Sequence, residues 1–164
     1  MLKAYSEGKR PVKKTLTNLL LVGMDLVGLA NSAKRAGYGV YAADYFGDRD
    51  LRKVCDGCKS ILKQRDGKSS GSIESNFDPN AFLKMAKSLS EKKQMDAILL
   101  SSGLDDSFEV LCELNELVDI VGNKPDTIRK IRDRDVFFRE LKRLRIPHPY
   151  TSVADSLEEE SLAA

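Results

Sequence analysis

The chain has no tryptophan and a single histidine, His148. Any Ser-His-Asp or Cys-His device would rest on that one imidazole, which sits between Pro147 and Pro149 in linker-like surroundings. Aromatic residues make up only 7% of the sequence, too few for a base-stacking surface. No apolar stretch approaches the roughly 18 residues of a membrane span. The first apolar run, Leu16 to Val22, follows a polar arm and is too short for a secretory core, so the cytoplasm is the expected compartment. Cysteines number three, an odd count that fits a reducing environment. Cys55-Asp56-Gly57-Cys58 is a lone CxxC, whereas a structural zinc normally takes two such pairs; we read it as incidental and Cys112 as a core residue. An excess of one charge is also missing, since 27 basic and 25 acidic residues leave +2. That balance calls for neither nucleic acid nor an anionic membrane as partner. Only the ends are lopsided. Lys3, Lys9, Arg10, Lys13 and Lys14 face Glu7 at the start, and Asp155, Glu158, Glu159 and Glu160 crowd the end. Both read as solvated segments, with a basic nucleic-acid arm as the sharper alternative for the first.

What is present suits one soluble domain: 164 residues, 41% apolar and 32% charged. Leu19-Leu20-Leu21-Val22 is a continuous apolar run closed by Gly23, the pattern of a strand buried on both faces. Leu26, Leu29, Ala30 and Ala33 recur at helical spacing up to Gly37, and Val40 to Ala43 forms a second strand closed by Asp44. Ser60-Ile61-Leu62 is expected as a short third strand, and residues 67–72 as a polar loop. Asp78-Pro79 opens a helix with Phe82, Met85, Ala86 and Leu89 inward. Ala97 to Leu100 is another buried strand, residues 107–117 a helix, and Asp119 to Gly122 a last short strand. Pro125 to Arg145 reads as helical, with Ile128, Ile131, Phe138, Leu141 and Leu144 inward. The fold class is therefore α/β, a Rossmann-like open parallel sheet with helices on both faces.

Ligands of such sheets bind at the carboxyl ends of the strands. Here those ends supply Gly23, Met24 and Asp25; Asp44 and Phe46; Ser101, Ser102 and Gly103; and Asn123. Good turn formers serve as turns without any ligand, so both readings stand at this point. Gly23-Met24-Asp25-Leu26-Val27-Gly28, with Asp44 downstream, imitates a dinucleotide fingerprint. Asp25 in place of the middle glycine argues against it, because its side chain obstructs and its charge repels a pyrophosphate; it suits a helix cap instead. Asp105-Asp106 likewise reads as helix N-capping. The cations from Arg129 to Arg145 alternate with acids, as on a salt-bridged solvent face.

Taken together, Gly122-Asn123-Lys124-Pro125, Arg132-Asp133-Arg134, Phe137-Phe138 and Leu144-Arg145-Ile146-Pro147-His148-Pro149 resemble the end of the pre-ATP-grasp domain of ATP-grasp enzymes. Ser32 to Tyr38, Val40-Tyr41 and Asp44 to Asp48 are similar to the subgroup described as predicted ATP-dependent carboligases related to biotin carboxylase. The resemblance covers about residues 17–155. Residues 1–15, without apolar periodicity, read as a basic flexible arm, and the resemblance implies a pre-ATP-grasp Rossmann-like domain at 16–146 and a linker or the start of a missing ATP-grasp domain at 147–164. It also implies an enzyme that activates a carboxylate with ATP and Mg²⁺ and passes it to an amine or similar nucleophile. The adenine pocket, most phosphate-binding lysines and the Mg²⁺ carboxylates would lie beyond residue 164, in cis or on a partner chain, so these residues alone would not turn over. Their own part would be the acceptor-substrate side of the cleft. Where the family carries a lysine after the aspartate, this chain has Arg134, which either reaches a phosphate or pairs with Asp133 or Asp135. A homodimer stays open, and the alternative is a free-standing nucleotide- or protein-binding Rossmann-like module.

Overall fold

A computed structural model describes residues 16–63 and 77–151. The N-terminal arm, the Ser/Gly loop expected at 67–72 and the acidic end lie outside those residues. At the centre is β1 (Asn18–Gly23), the continuous apolar run, with its last five residues buried. Its alternate side chains serve two cores. Leu19 and Leu21 face one, and Leu20 and Val22 face the other.

On the first face lie α1 (Val27–Arg35) and α2 (Arg49–Val54), which bring Ala30, Ala33 and Leu51 onto Leu19, Leu21, Val40 and Ala42. Gly37, at φ +88°, ends α1, with its N–H on Lys34 and that of Tyr38 on Ala33. This pair of bonds satisfies carbonyls the helix end would otherwise leave bare. On the second face lie α3 (Pro79–Ser90) and α4 (Phe108–Leu117), which contribute Phe82, Leu83, Ala86, Leu89, Val110, Leu111 and Leu114. Asp78 caps α3 by accepting from the Asn80 N–H at 2.9 Å, with Pro79 at the first helical position, as the sequence predicts.

β1 pairs in parallel with β2 (Gly39–Asp44) on one side and with β4 (Ala97–Leu100) on the other, and β3 (Gly57–Ser60) lies outside β2. The order β3-β2-β1-β4 reverses direction between β1 and β4, which is the switch point of an open α/β sheet. The expected α/β class with an open parallel sheet and helices on both faces is what the chain adopts.

Three expectations shift. β3 runs over Gly57–Ser60 and not Ser60-Ile61-Leu62, so Cys58 sits inside it. Gly57 packs so near the Tyr41 ring that a Cβ there would lie 2.9 Å from it. Ile61 and Leu62 only extend the pairing, through N–H bonds to the Asp44 and Tyr45 carbonyls. The strand expected at 119–122 shrinks to a single parallel bridge, Ile98 to Ile120. Only Ile120 there is buried, the Asn115 side chain takes its N–H at 3.2 Å, and Gly122 (φ +119°) turns the chain away. Finally, the expected helix from Pro125 to Arg145 is two helices, α5 (Pro125–Arg132) and α6 (Arg134–Arg143). Asp133 breaks the run because its carboxylate caps α6, accepting from Val136 N–H at 3.0 Å. No residue of α6 is buried, and Ile131 and Leu144, expected inward, are exposed.

Candidate functional site at the strand tips

At the tip of β1, Gly23 has φ +144°, and a Cβ on it would lie 2.9 Å from the Ser102 carbonyl oxygen. Next to it, Met24 N–H donates to that same oxygen at 2.9 Å, and Ser101 Oγ donates to the Met24 carbonyl at 2.9 Å. Gly103, at φ +105°, packs so tightly that its Cβ would lie 2.8 Å from the Met24 side chain. The tips of β1 and β4 are thus stitched together by an antiparallel Met24–Ser102 bridge. Protein backbone fills the crevice where a dinucleotide would lie. Asp25 adopts the left-handed conformation (φ 55°) and is exposed. Contrary to the capping expected of it, no side chain caps the start of α1. Gly28, the last glycine of the imitated fingerprint, faces open space.

Asp44 and Phe46 occupy a second tip, over β2 and β3. Asp44 is fully buried, with Oδ2 accepting from Gly47 N–H at 2.6 Å and Oδ1 without a hydrogen-bond partner. Burial raises its carboxyl above the ordinary value, partly offset by the Gly47 and Phe46 N–H groups. Arg52 closes this tip by donating to the Gly47 carbonyl at 2.8 Å and to Ser60 Oγ at 3.0 Å. A ligand would reach Asp44 only after that turn moved. Phe46 is half-buried, edge-on to Tyr45 at 5.0 Å.

The open space lies one strand further along. A cavity of about 430 Å³ sits between the tip of β4 and the Ile120 segment. Its polar wall is Ser101, Ser102, Asp105 and Asn123, and its apolar wall includes Leu104, Leu111, Ile120 and Ile128. Of the residues singled out in the sequence, Ser101, Ser102 and Asn123 meet here. Gly23, Met24 and Gly103 form the stitched seam beside Ser101 and Ser102, and Asp44, Phe46 and Arg134 are not part of the lining. Arg134 is exposed at the first position of α6 and, among the described residues, pairs with neither Asp133 nor Asp135. The sequence reading missed Asp105 and Ile128. The capping role expected of Asp105-Asp106 does not hold either: Ser107 occupies the N-cap of α4, and Asp106 accepts a two-point ion pair from Arg132 at 2.7 and 2.5 Å. That pair, with the Arg129 guanidinium 4.3 Å from the centre of the Phe108 ring, ties α5 to the start of α4 and carries Ile128 to the cavity.

The rest of the titratable inventory offers little chemistry. Burial pushes the Cys55 thiol up to about 12 and raises that of Cys58, so neither is a ready thiolate. Cys112 is half-buried on α4. Among the described residues, no group of three or more His, Cys, Asp or Glu side chains is placed to hold a metal ion. Nor, among the described residues, is any helix long and apolar enough to cross a membrane. ATP with Mg²⁺ would need phosphate-binding cations and converging carboxylates, and the described cavity wall has no cation and one carboxylate. These residues do not fit that cofactor.

No family model matches the chain. An uncharacterized protein of Methanocaldococcus jannaschii is 26% identical over 132 residues, which are 80% of this chain and 32% of that protein. Among solved structures, a pyruvate carboxylase from Rhizobium etli superposes with a TM-score of 0.57 at 18% identity, over 87% of this chain and 13% of that one. An L-amino acid ligase from Bacillus licheniformis gives 0.58 at 12%, covering 84% and 32%. The N5-carboxyaminoimidazole ribonucleotide synthetase from Thermotoga maritima gives 0.54 at 19%, covering 88% and 35%. The chain therefore spans about a third or less of the proteins it resembles. These structural neighbours are ATP-grasp enzymes, and what they share with this chain is its fold: an open parallel α/β domain of the kind found within ATP-grasp proteins.

Proposed function

We propose that this domain is the acceptor-substrate wall of an ATP-grasp ligase that joins a carboxylate to an amine or a similar nucleophile. The observation that carries the reading is the cavity at the β4 tip, assembled in a fold whose solved relatives are ATP-grasp enzymes. Ser101, Ser102 and Asn123 hydrogen-bond the substrate, while the Gly23-Met24 and Gly103 seam fixes their backbone. Asp44 and Phe46 hold the neighbouring tip in shape. ATP and Mg²⁺ are bound by ATP-grasp halves outside the described residues, in cis or on a partner chain, and work proceeds in the cytoplasm. Arg134, exposed at the start of α6 and unpaired among the described residues, is the cation that would meet a phosphate of that nucleotide. In support, the chain spans 32% of its Methanocaldococcus relative.

The test is ADP formation from MgATP in the presence of mixed carboxylates and amines. The 164 residues alone should show none, and the same residues supplied with ATP-grasp halves, fused or in trans, should show acceptor-dependent ADP release. Turnover by the 164 residues alone would refute the division of labour.

A further inference from the structure

The cavity carries one sign of charge. Asp105 is the only ionisable group on its described wall, and no lysine, arginine or histidine lines it. Cations close in sequence are committed elsewhere. Arg132 holds Asp106, Arg129 pairs with Asp126 at 3.0 Å and covers the Phe108 ring, and Lys124 pairs with Asp119 and donates to the Ile120 carbonyl at 2.6 Å. Asp105 itself makes no direct hydrogen bond or ion pair among the described residues, although the Arg132 guanidinium that holds Asp106 is near enough to feel its charge.

A carboxylate or phosphate laid against this wall would shed water beside a like charge and gain no cation in return. The positive ends of α4 and α5 favour an anion, but Glu109 in the first turn of α4 offsets the first, and neither end brings a cation onto the described wall. An ammonium group would meet the exposed Asp105 carboxylate and the neutral acceptors of Ser102 and Asn123, while Leu104, Leu111, Ile120 and Ile128 would cover an apolar body. Resting on the acceptor-wall reading above, we infer that this cavity receives the amine substrate, an ammonium with an apolar body, and that phosphorylated or carboxylate-bearing groups bind elsewhere.

Three probes that share a phenyl ring and differ in head group decide it: phenethylamine, phenylacetate and phenyl phosphate, each titrated into the chain while amide NMR shifts are followed. Phenethylamine alone should give saturable shifts at Ser101, Ser102, Asp105 and Asn123. Its dissociation constant should weaken about tenfold in Asp105→Asn, as expected for losing a hydrogen-bonded charge. Asp105 is exposed, so the variant should keep its fold, which unchanged shifts in β1 and β2 would verify. Binding of either anion at those amides with higher affinity, no binding by any probe, or equal amine affinity in Asp105→Asn overturns the inference. Turnover separates it from the ligase reading. ADP release that requires a phosphorylated acceptor in this cavity leaves the ligase standing and sinks the amine assignment. Amine binding with no acceptor-dependent ADP release does the reverse.

Discussion

Gly23 and Gly103 both hold positive φ angles at the joined strand tips, and Gly23 is constrained a second time by the Ser102 backbone, whereas Gly103 abuts the Met24 side chain. Gly23→Ala should cost about 1–3 kcal/mol in urea unfolding. Gly28→Ala meets open space within α1 and should stabilise by about 0.4–1 kcal/mol. Had the turn been a working dinucleotide loop, its last glycine would pack against a strand and the second change would be costly. Two aspartates should respond to pH with opposite signs. Folding raises the Asp44 carboxyl, so its contribution is complete below the ordinary 3.8 and is lost as pH rises through the raised folded value. Asp44→Asn should therefore gain stability relative to the parent between acid and neutral pH. Lys34, at 2.7 Å, and the Val40 N–H hold Asp56 below 3.8. Its contribution is present above 3.8 and lost as pH falls through the lowered value, so the deficit of Asp56→Asn should shrink in acid. Urea titrations across pH read both trends. At this scale the sequence exposed Ser101, Ser102 and Asn123, because small polar residues after an apolar run mark a strand tip. Asp105 stayed hidden because two adjacent acids before a helix have the same pattern as a cap. Only the position of Arg132 reveals which acid is taken.

Helices differ in what anchors them. α3 buries Phe82, Leu83, Ala86 and Leu89, while α6 buries nothing. Phe82→Ala should cost about 3–5 kcal/mol, and Phe138→Ala, on α6, under about 1 kcal/mol. Amide exchange in α6 should be correspondingly faster than in α3. The strongly apolar strands β1, β2 and β4 were legible in the sequence because burial on both faces leaves unbroken apolar runs. β3 was not, since an edge strand of sequence Gly-Cys-Lys-Ser carries no such run. The α5–α6 boundary was hidden by a charged periodic pattern that continues through Asp133. Only the bond from Val136 N–H to the Asp133 carboxylate shows where one helix stops. Ile131 and Leu144 were expected to face a core, yet they are exposed in this domain, as are Phe137 and Ile146.

For the whole molecule, the order β3-β2-β1-β4 sets a switch point between β1 and β4, and the Met24–Ser102 bridge closes it. The cleft is displaced toward the Ile120 segment as a result. Fold class was readable from alternating strands and helices, but this displacement was not, because it depends on contacts between tips 77 or more residues apart. The most direct measurement is steady-state kinetics of the proposed ligase, this chain joined to ATP-grasp halves, carrying Ser102→Leu, which fills the cavity at an exposed position. The account predicts an acceptor KM raised about tenfold or more with the KM for ATP unchanged. A raised KM for ATP with acceptor binding intact would contradict it.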